Sequence, residues 1–251
     1  MDRTILKIVA FTGAGMSKDS GLDTFRRGGT WDQMDVRDVA YVDRWWRSDE
    51  DRARMLDFYN RRRREVKAAQ PNAGHLALAE LEKAGHDVLI VTQNIDDLHE
   101  RAGSTNVIHL HGEIMKVRPD GDEDTHLSWT EDLNLGDLHG GVQLRPHVVW
   151  FGEGLPRFEE AFALATQPGM DALLVIGTTL EVGPANLCAL CTKAERVFLI
   201  DPDPPEFGLI DPGDRYGRTR AHPDVREIRE GAVTGVPKVV RAMLAGRTKT
   251  G

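Results

Sequence analysis

Short apolar runs recur along this chain, separated by stretches with the period of a helix, and that alternation leaves few folds open. The strand-like runs are Ile5–Phe11, Val88–Thr92, Val107–Leu110, His147–Trp150, Ala172–Ile176 and Val197–Ile200. Helical patterns fall at Asn72–Ala84, Ile95–Ala102, Pro156–Ala165 and Pro184–Glu195, with Gly85 and Gly103 where helix C-caps are expected. Strand and helix in alternation read as an α/β fold, a doubly wound parallel sheet of the Rossmann-like kind.

Two stretches break the rhythm. Residues 28–69 are charged and aromatic, with helical spacing at Met55, Phe58, Tyr59 and Val66, and residues 113–144 are rich in Gly and Asp with little periodicity. Both read as insertions that build a smaller lobe. The sheet domain is then discontinuous, made of residues 1–27, 70–112 and 145–251. A chain of 251 residues is long enough for this arrangement and for a sizeable core.

Charge and cysteine content narrow the class. A formal charge of -8 argues against a general nucleic-acid binder, which shows a basic excess. Two cysteines cannot build a disulfide framework, which fits a reducing compartment. The first apolar run is too short to span a membrane and carries no signal-peptide pattern, so a cytoplasmic protein with no membrane partner is expected.

Chemistry concentrates where strands end. Asp87–Val91 runs into Thr92-Gln93-Asn94-Ile95-Asp96, and Asn106–Leu110 runs into His111-Gly112-Glu113. In a parallel sheet consecutive strands deliver their last residues to one edge, where ligands bind. The first strand is followed by Thr12-Gly13-Ala14-Gly15-Met16-Ser17, a turn whose glycines let backbone N–H groups approach a pyrophosphate. The dinucleotide fingerprint is incomplete, because its third glycine falls at Lys18, and a plain tight turn is the competing reading.

Taken together, the motifs resemble those of the sirtuins, the NAD-dependent protein lysine deacylases. They are Gly13–Ser17, Gly21-Leu22-Asp23-Thr24-Phe25-Arg26, Thr92–Asp96, His109-Leu110-His111-Gly112, Arg145–Glu153 and Gly177–Ala185, in the family's order. The resemblance implies NAD as co-substrate and acylated lysine side chains of proteins as partners. Sirtuins split the nicotinamide–ribose bond as the acyl oxygen attacks the sugar, and a histidine base then helps a ribose hydroxyl attack the adduct.

The resemblance also implies roles. His111 matches the base, and an imidazole titrating near neutrality suits it; His109 reads as structural. Asn94 would order the ribose and a water, Asp96 would accept the nicotinamide amide, and Gln93 would bond a ribose hydroxyl. Gly13, Ala14, Gly15 and Ser17, with Gly177, Thr178 and Thr179, would surround phosphates. Phe25 would shield the sugar on a closing loop beside Arg26. Asp201 stands where asparagine is usual, and a carboxylate there favours NAD over NADP. Val149, Trp150, Phe151, Gly152, Glu153 and Val182 would meet the substrate peptide by strand pairing.

Two features set this chain apart. Sirtuins commonly hold a structural zinc with two cysteine pairs, yet residues 113–144 contain no cysteine. Cys188 and Cys191 lie in a helical pattern elsewhere and read as buried apolar residues, so no zinc is expected. The second feature is Arg61-Arg62-Arg63-Arg64. Arg61, Arg63 and Arg64 read as a solvated face, whereas Tyr59 and Arg62 share an otherwise apolar face. This Tyr-x-x-Arg pair resembles the one with which a bacterial-type sirtuin subgroup holds the carboxylate of succinyl- or malonyl-lysine, and Gly28 leaves room for a longer acyl chain. Two other functions stay open: a mono-ADP-ribosyltransferase or NAD hydrolase on the same fold, and a non-catalytic sensor of NAD or ADP-ribose.

Overall fold

The structure is a computed structural model, described for residues 5–23, 35–181, 183–211 and 219–246. Its main domain is a six-stranded parallel sheet. The strands, with the lobe's strands and a two-stranded ribbon of β10 (Leu209–Ile210) and β11 (Thr219–Arg220) numbered in the same series, are β1 (Lys7–Thr12), β2 (Asp87–Thr92), β3 (Val107–His109), β8 (Ala172–Ile176), β9 (Arg196–Ile200) and β12 (Val225–Ile228), in the spatial order β3-β2-β1-β8-β9-β12. Counted within this sheet alone, that is the 3-2-1-4-5-6 order of the doubly wound dinucleotide-binding fold. Strand order reverses between β1 and β8, and ligands bind at such a switch point.

The sheet is buried on both faces, which is why its central strands are apolar throughout rather than alternating. One face packs Ile8, Ala10, Ile90 and Leu174 against helices α4 (Ala73–Lys83) and α8 (Ala232–Leu244). The other packs Val9, Phe11, Val91 and Val175 against α6 (Phe158–Ala165) and α7 (Leu187–Leu190). Cys188 lies inside this second core and Cys191 beside it, both as buried free thiols, and burial pushes the Cys188 thiol up to about 12.

The lobe contains α1 (Val36–Val39), α2 (Val42–Trp45) and the long α3 (Asp49–Ala68) beside an antiparallel sheet. That sheet has β4 (Gly112–Pro119), β5 (Leu127–Ser128), β6 (Leu138–His139) and β7 (Val142–Val148), in the order β5-β4-β7-β6. Ser48 caps α3 by accepting the Asp51 N–H at 3.1 Å, and three acidic residues in the first turn complement the helix dipole. Met55, Phe58, Tyr59 and Val66 point into the lobe core, with Trp45 and Trp150.

His147–Trp150 does not join the parallel sheet; His147 and Val148 end β7, which pairs antiparallel with β4. The sixth parallel strand is instead β12, whose half-exposed Arg226 and exposed Glu227 disguise an edge strand as a loop. The helix expected at Ile95–Ala102 begins only at Leu98, because Asp96 turns back to accept the Leu98 N–H at 3.2 Å. The one expected at Pro184–Glu195 splits into a short 3-10 turn and α7, ending at Leu190. Arg63 is 1% exposed rather than solvated: its guanidinium donates to the carbonyls of Ile114 and Glu131 and to Asn60 Oδ1 at 2.7–3.3 Å.

That arginine helps hold the cysteine-free segment. Asn60 bonds Leu133 reciprocally, donating to its carbonyl and accepting its N–H, both at 2.9 Å. Arg64 grips Asp132, and Lys67 reaches Glu131. On the sheet side the Glu153 carboxylate receives two bonds from Arg145 at 2.7 and 2.9 Å and one from Arg118 at 3.2 Å. Arg145 also lies 3.5 Å above the Trp150 ring. Among the described residues, no group of three or more His, Cys, Asp or Glu side chains is placed to hold a metal ion.

Candidate active site

The switch point is built by glycines. Gly13 N–H donates to Ile176 O and Gly15 N–H to Gly177 O, each at 2.9 Å, so the loops after β1 and β8 lie directly against each other. A Cβ on Gly15 would come within 2.6 Å of Gly177 Cα, and one on Gly13 within 2.7 Å of Thr178 Cβ. Gly177 itself has φ +60. The turn is therefore more than a generic one, because side chains there would force the two loops apart.

Ser17, just past this loop, is a hub. Its hydroxyl donates to Asp96 Oδ2 at 2.9 Å and accepts from Asn94 Nδ2 at 3.1 Å. The His75 ring approaches it at 3.5 Å through Nε2. His75 Nδ1 accepts the Asn72 N–H, which fixes the tautomer with the proton on Nε2, facing Ser17. Gln93 donates to Thr178 Oγ1 at 3.1 Å, tying the end of β2 to the loop after β8. Ser17, expected only as a phosphate-loop residue, thus organises the polar cluster. His75 is the member the sequence reading missed; its one signal is its place three residues after the helix cap Asn72.

Burial shapes the charges here. Asp96 is pushed up by desolvation, which the Ser17 and Leu98 hydrogen bonds resist. Burial lowers His75 to about 4 and holds His99 well below the ordinary imidazole value, so both are neutral at pH 7. For His109 burial is outweighed by the hydrogen bond to Glu100 and by its charge, and the net shift is upward. His109 is clamped between Asn94 O at 2.9 Å and Glu100 Oε1 at 2.8 Å, as its structural reading requires.

His111 sits where β3 gives way to β4. Its Nδ1 lies 2.8 Å from Gln93 O. A carbonyl only accepts, so the ring donates from Nδ1 and Nε2 keeps the lone pair. Burial lowers its pKa, against the pull of that carbonyl, so the neutral form dominates at pH 7. The His111 carbonyl in turn accepts the Val149 N–H at 2.9 Å, placing the imidazole's own backbone against the segment expected to meet substrate.

That segment divides. Phe151 is 45% exposed and Gly152 is exposed, while Val149 is half-buried. Trp150 is packed in the lobe core, and the Glu153 carboxylate is spent on Arg145, Arg118 and the Trp150 N–H. For these two side chains the structure places lobe packing where substrate contact was expected. Both backbone groups of Phe151 are also engaged, by Ala40 O and Val42 N.

A cavity joins the two lobes. It is lined by Ala14, Ser17, Asp23, Arg62, Asn94 and Asp96, among others. Arg62, 7% exposed, thus faces the same space as the polar cluster. Tyr59 is buried, edge-on to Phe58 and tilted against Trp150, and burial raises its hydroxyl pKa. Thr179 lines a second cavity with Leu180, Asp203 and Gly208, and the buried Asp201 directly follows β9, accepting the Asp203 N–H at 3.0 Å. Phe25, Arg26 and Val182 lie outside the described residues, as does Gly28.

Fold and site together define a dinucleotide-binding α/β protein whose polar groups converge at the strand-order reversal. The model of the Sir2 family matches residues 13–184. An NAD-dependent protein deacylase of Helicobacter pylori is 46% identical over 198 residues, covering 78% of this chain and 82% of its own. A deacylase of the same description from Bacteroides thetaiotaomicron is 39% identical over 246 residues, 94% of this chain and 97% of that one. A mutant Sir2 homologue solved with ADP-ribose superposes with a TM-score of 0.80 at 31% identity, covering 97% of this chain and 94% of that one. A Sir2 homologue solved with NAD gives 0.78 at 32%, covering 96% and 90%. The chain belongs to the Sir2 family and is an enzyme of that family.

Proposed function

We propose that the protein is an NAD-dependent protein lysine deacylase that removes acetyl groups and the acidic succinyl and malonyl groups. The observation that carries this reading is the shared cavity, in which Arg62 of the lobe faces Ser17, Asn94 and Asp96 of the sheet domain. The donors present suit a dinucleotide. Closely apposed glycine loops would let main chain approach the phosphates, and carboxamide, hydroxyl and carboxylate groups would suit a ribose and a nicotinamide amide. When bound, NAD supplies a sugar carbon whose nicotinamide can leave.

The protein's own part is positioning and proton transfer. Asn94 and Asp96 are held by Ser17, so both are oriented before any ligand arrives. Gln93 spans from the end of β2 to Thr178. His111, neutral and with its lone pair on Nε2, is suited to take a proton from a ribose hydroxyl. The exposed Phe151 ring and Gly152 present a surface for the substrate, while the Phe151 main chain is held by Ala40 and Val42. Arg62 offers a buried guanidinium to the far carboxylate of an acidic acyl group, whose planar fork matches it. Two buried free thiols fit work in the reducing cytoplasm.

Arg62→Met tests the acyl assignment. Incubated with NAD and acetyl-, succinyl- or malonyl-lysine peptides, the variant should lose acidic deacylation by ~100-fold while acetyl turnover falls far less, the scale of a lost charge-paired contact. Equal losses on all three peptides would reject the assignment.

A further inference from the structure

The four consecutive arginines of α3 have different partners. Arg61 pairs with Asp57 at 3.4 Å, Arg63 is buried on main-chain carbonyls, and Arg64 grips Asp132 across the lobe. Arg62, whose side chain is 8% exposed, donates from Nη1 to Glu65 Oε2 at 2.7 Å and from Nη2 to Asp23 O at 3.3 Å. Glu65 is 49% exposed and lies one turn further along the same helix, so it reaches the cavity arginine from the solvent side. A carboxylate of the protein therefore already occupies one face of the guanidinium that an acidic acyl group would use.

We infer that Glu65 is a specificity-determining residue, an internal counter-ion that an acidic acyl group must displace from Arg62. This rests on the acidic-acyl reading given above. A buried guanidinium without an anion is costly, and Glu65 meets that need when the acyl group is neutral, as with acetyl-lysine. A succinyl or malonyl carboxylate arriving at Arg62 meets like charge from Glu65 and must compete with it for the same N–H groups. Glu65 thus sets the balance between neutral and acidic acyl groups, favouring the neutral ones.

Glu65→Gln keeps the size and helix-forming character of the residue and removes the charge. Steady-state kinetics with NAD and the three acyl-lysine peptides should show KM for succinyl- and malonyl-lysine falling by ~10-fold relative to KM for acetyl-lysine, as expected for relief of a close like-charge contact. The kcat ratios should move little. Glu65→Ala should shift the KM ratio in the same direction, and thermal melts of both variants report whether the fold is intact. If Glu65 serves only to brace Arg62, its loss raises KM for the acidic peptides, and that result, or an unchanged ratio, overturns the inference. Arg62→Met in parallel separates the two levels. A selective loss in Arg62→Met with no shift in Glu65→Gln rejects the counter-ion alone, whereas uniform loss in Arg62→Met rejects the acidic-acyl reading beneath it.

Discussion

His111 donates its Nδ1–H to the main-chain carbonyl of Gln93 at 2.8 Å, so the ends of two neighbouring parallel strands fix the protonation pattern of one imidazole. The same bond joins His111, the proposed base, to the residue whose side chain reaches Thr178 in the loop after β8.

His111→Asn should lower kcat/KM by ~10²–10⁴-fold, the usual contribution of a positioned base, with little change in melting temperature. A proton-accepting His111 acts as the neutral imidazole, the role proposed for it, and burial lowers its pKa. The acidic limb of the kcat/KM profile should therefore fall below the ordinary histidine value of ~6.5. A limb above that value would contradict the burial argument.

Stability should decline in acid. His75, lowered to about 4, His147, lowered to about 3, and His99 and His111 all have depressed folded-state pKa values, chiefly through burial. Below ~6.5 the unfolded chain binds protons that the folded chain refuses, so stability present above that pH is lost as pH falls toward the folded values, at up to ~1.4 kcal/mol per pH unit for each such histidine. His109, raised by Glu100, acts the other way, contributing stability that is full below the unfolded value and lost as pH rises through its own. Denaturant melts from pH 7 to pH 4 should show the net loss, and His75→Gln should flatten it. A flat wild-type curve would contradict this.

Much of the main domain was legible because its sheet strands are buried on both faces and its turns need glycine. The lobe was not. β4 and β7 carry Arg118, Arg145 and Pro146 inward, where Glu153 bridges the two arginines and Glu123 also pairs with Arg118, so their pattern lacks alternation. Arg63 read as solvated because the carbonyls that receive it, of Ile114 and Glu131, lie 51 and 68 residues away in sequence. The polar residues of the candidate site stand at strand ends in the sequence, whereas the Ser17 hub depends on three distant segments meeting.

Glu153→Gln tests the reassignment of Glu153 from substrate contact to lobe framework. Removing the charge between Arg145 and Arg118 should cost ~3–5 kcal/mol, as when one partner of a buried pair is lost, and should lower the melting temperature. A normal melt with impaired peptide KM would restore the substrate role.

Treatment with a strong chelator should leave the melting curve unchanged, since Asn60–Leu133, Arg64–Asp132 and Arg145–Glu153 bond the lobe directly. Metal analysis should find no zinc in stoichiometric amount, because a structural zinc is held tightly enough to co-purify. A chelator-induced drop in melting temperature would show a metal at work.

The most direct measurement is the mass of the products formed from NAD and an acyl-lysine peptide. The site described here predicts free lysine peptide, nicotinamide and O-acyl-ADP-ribose in equal amounts, all lost in His111→Asn except residual nicotinamide release. Free ADP-ribose with the peptide still acylated, or no nicotinamide with any acyl group, would contradict it.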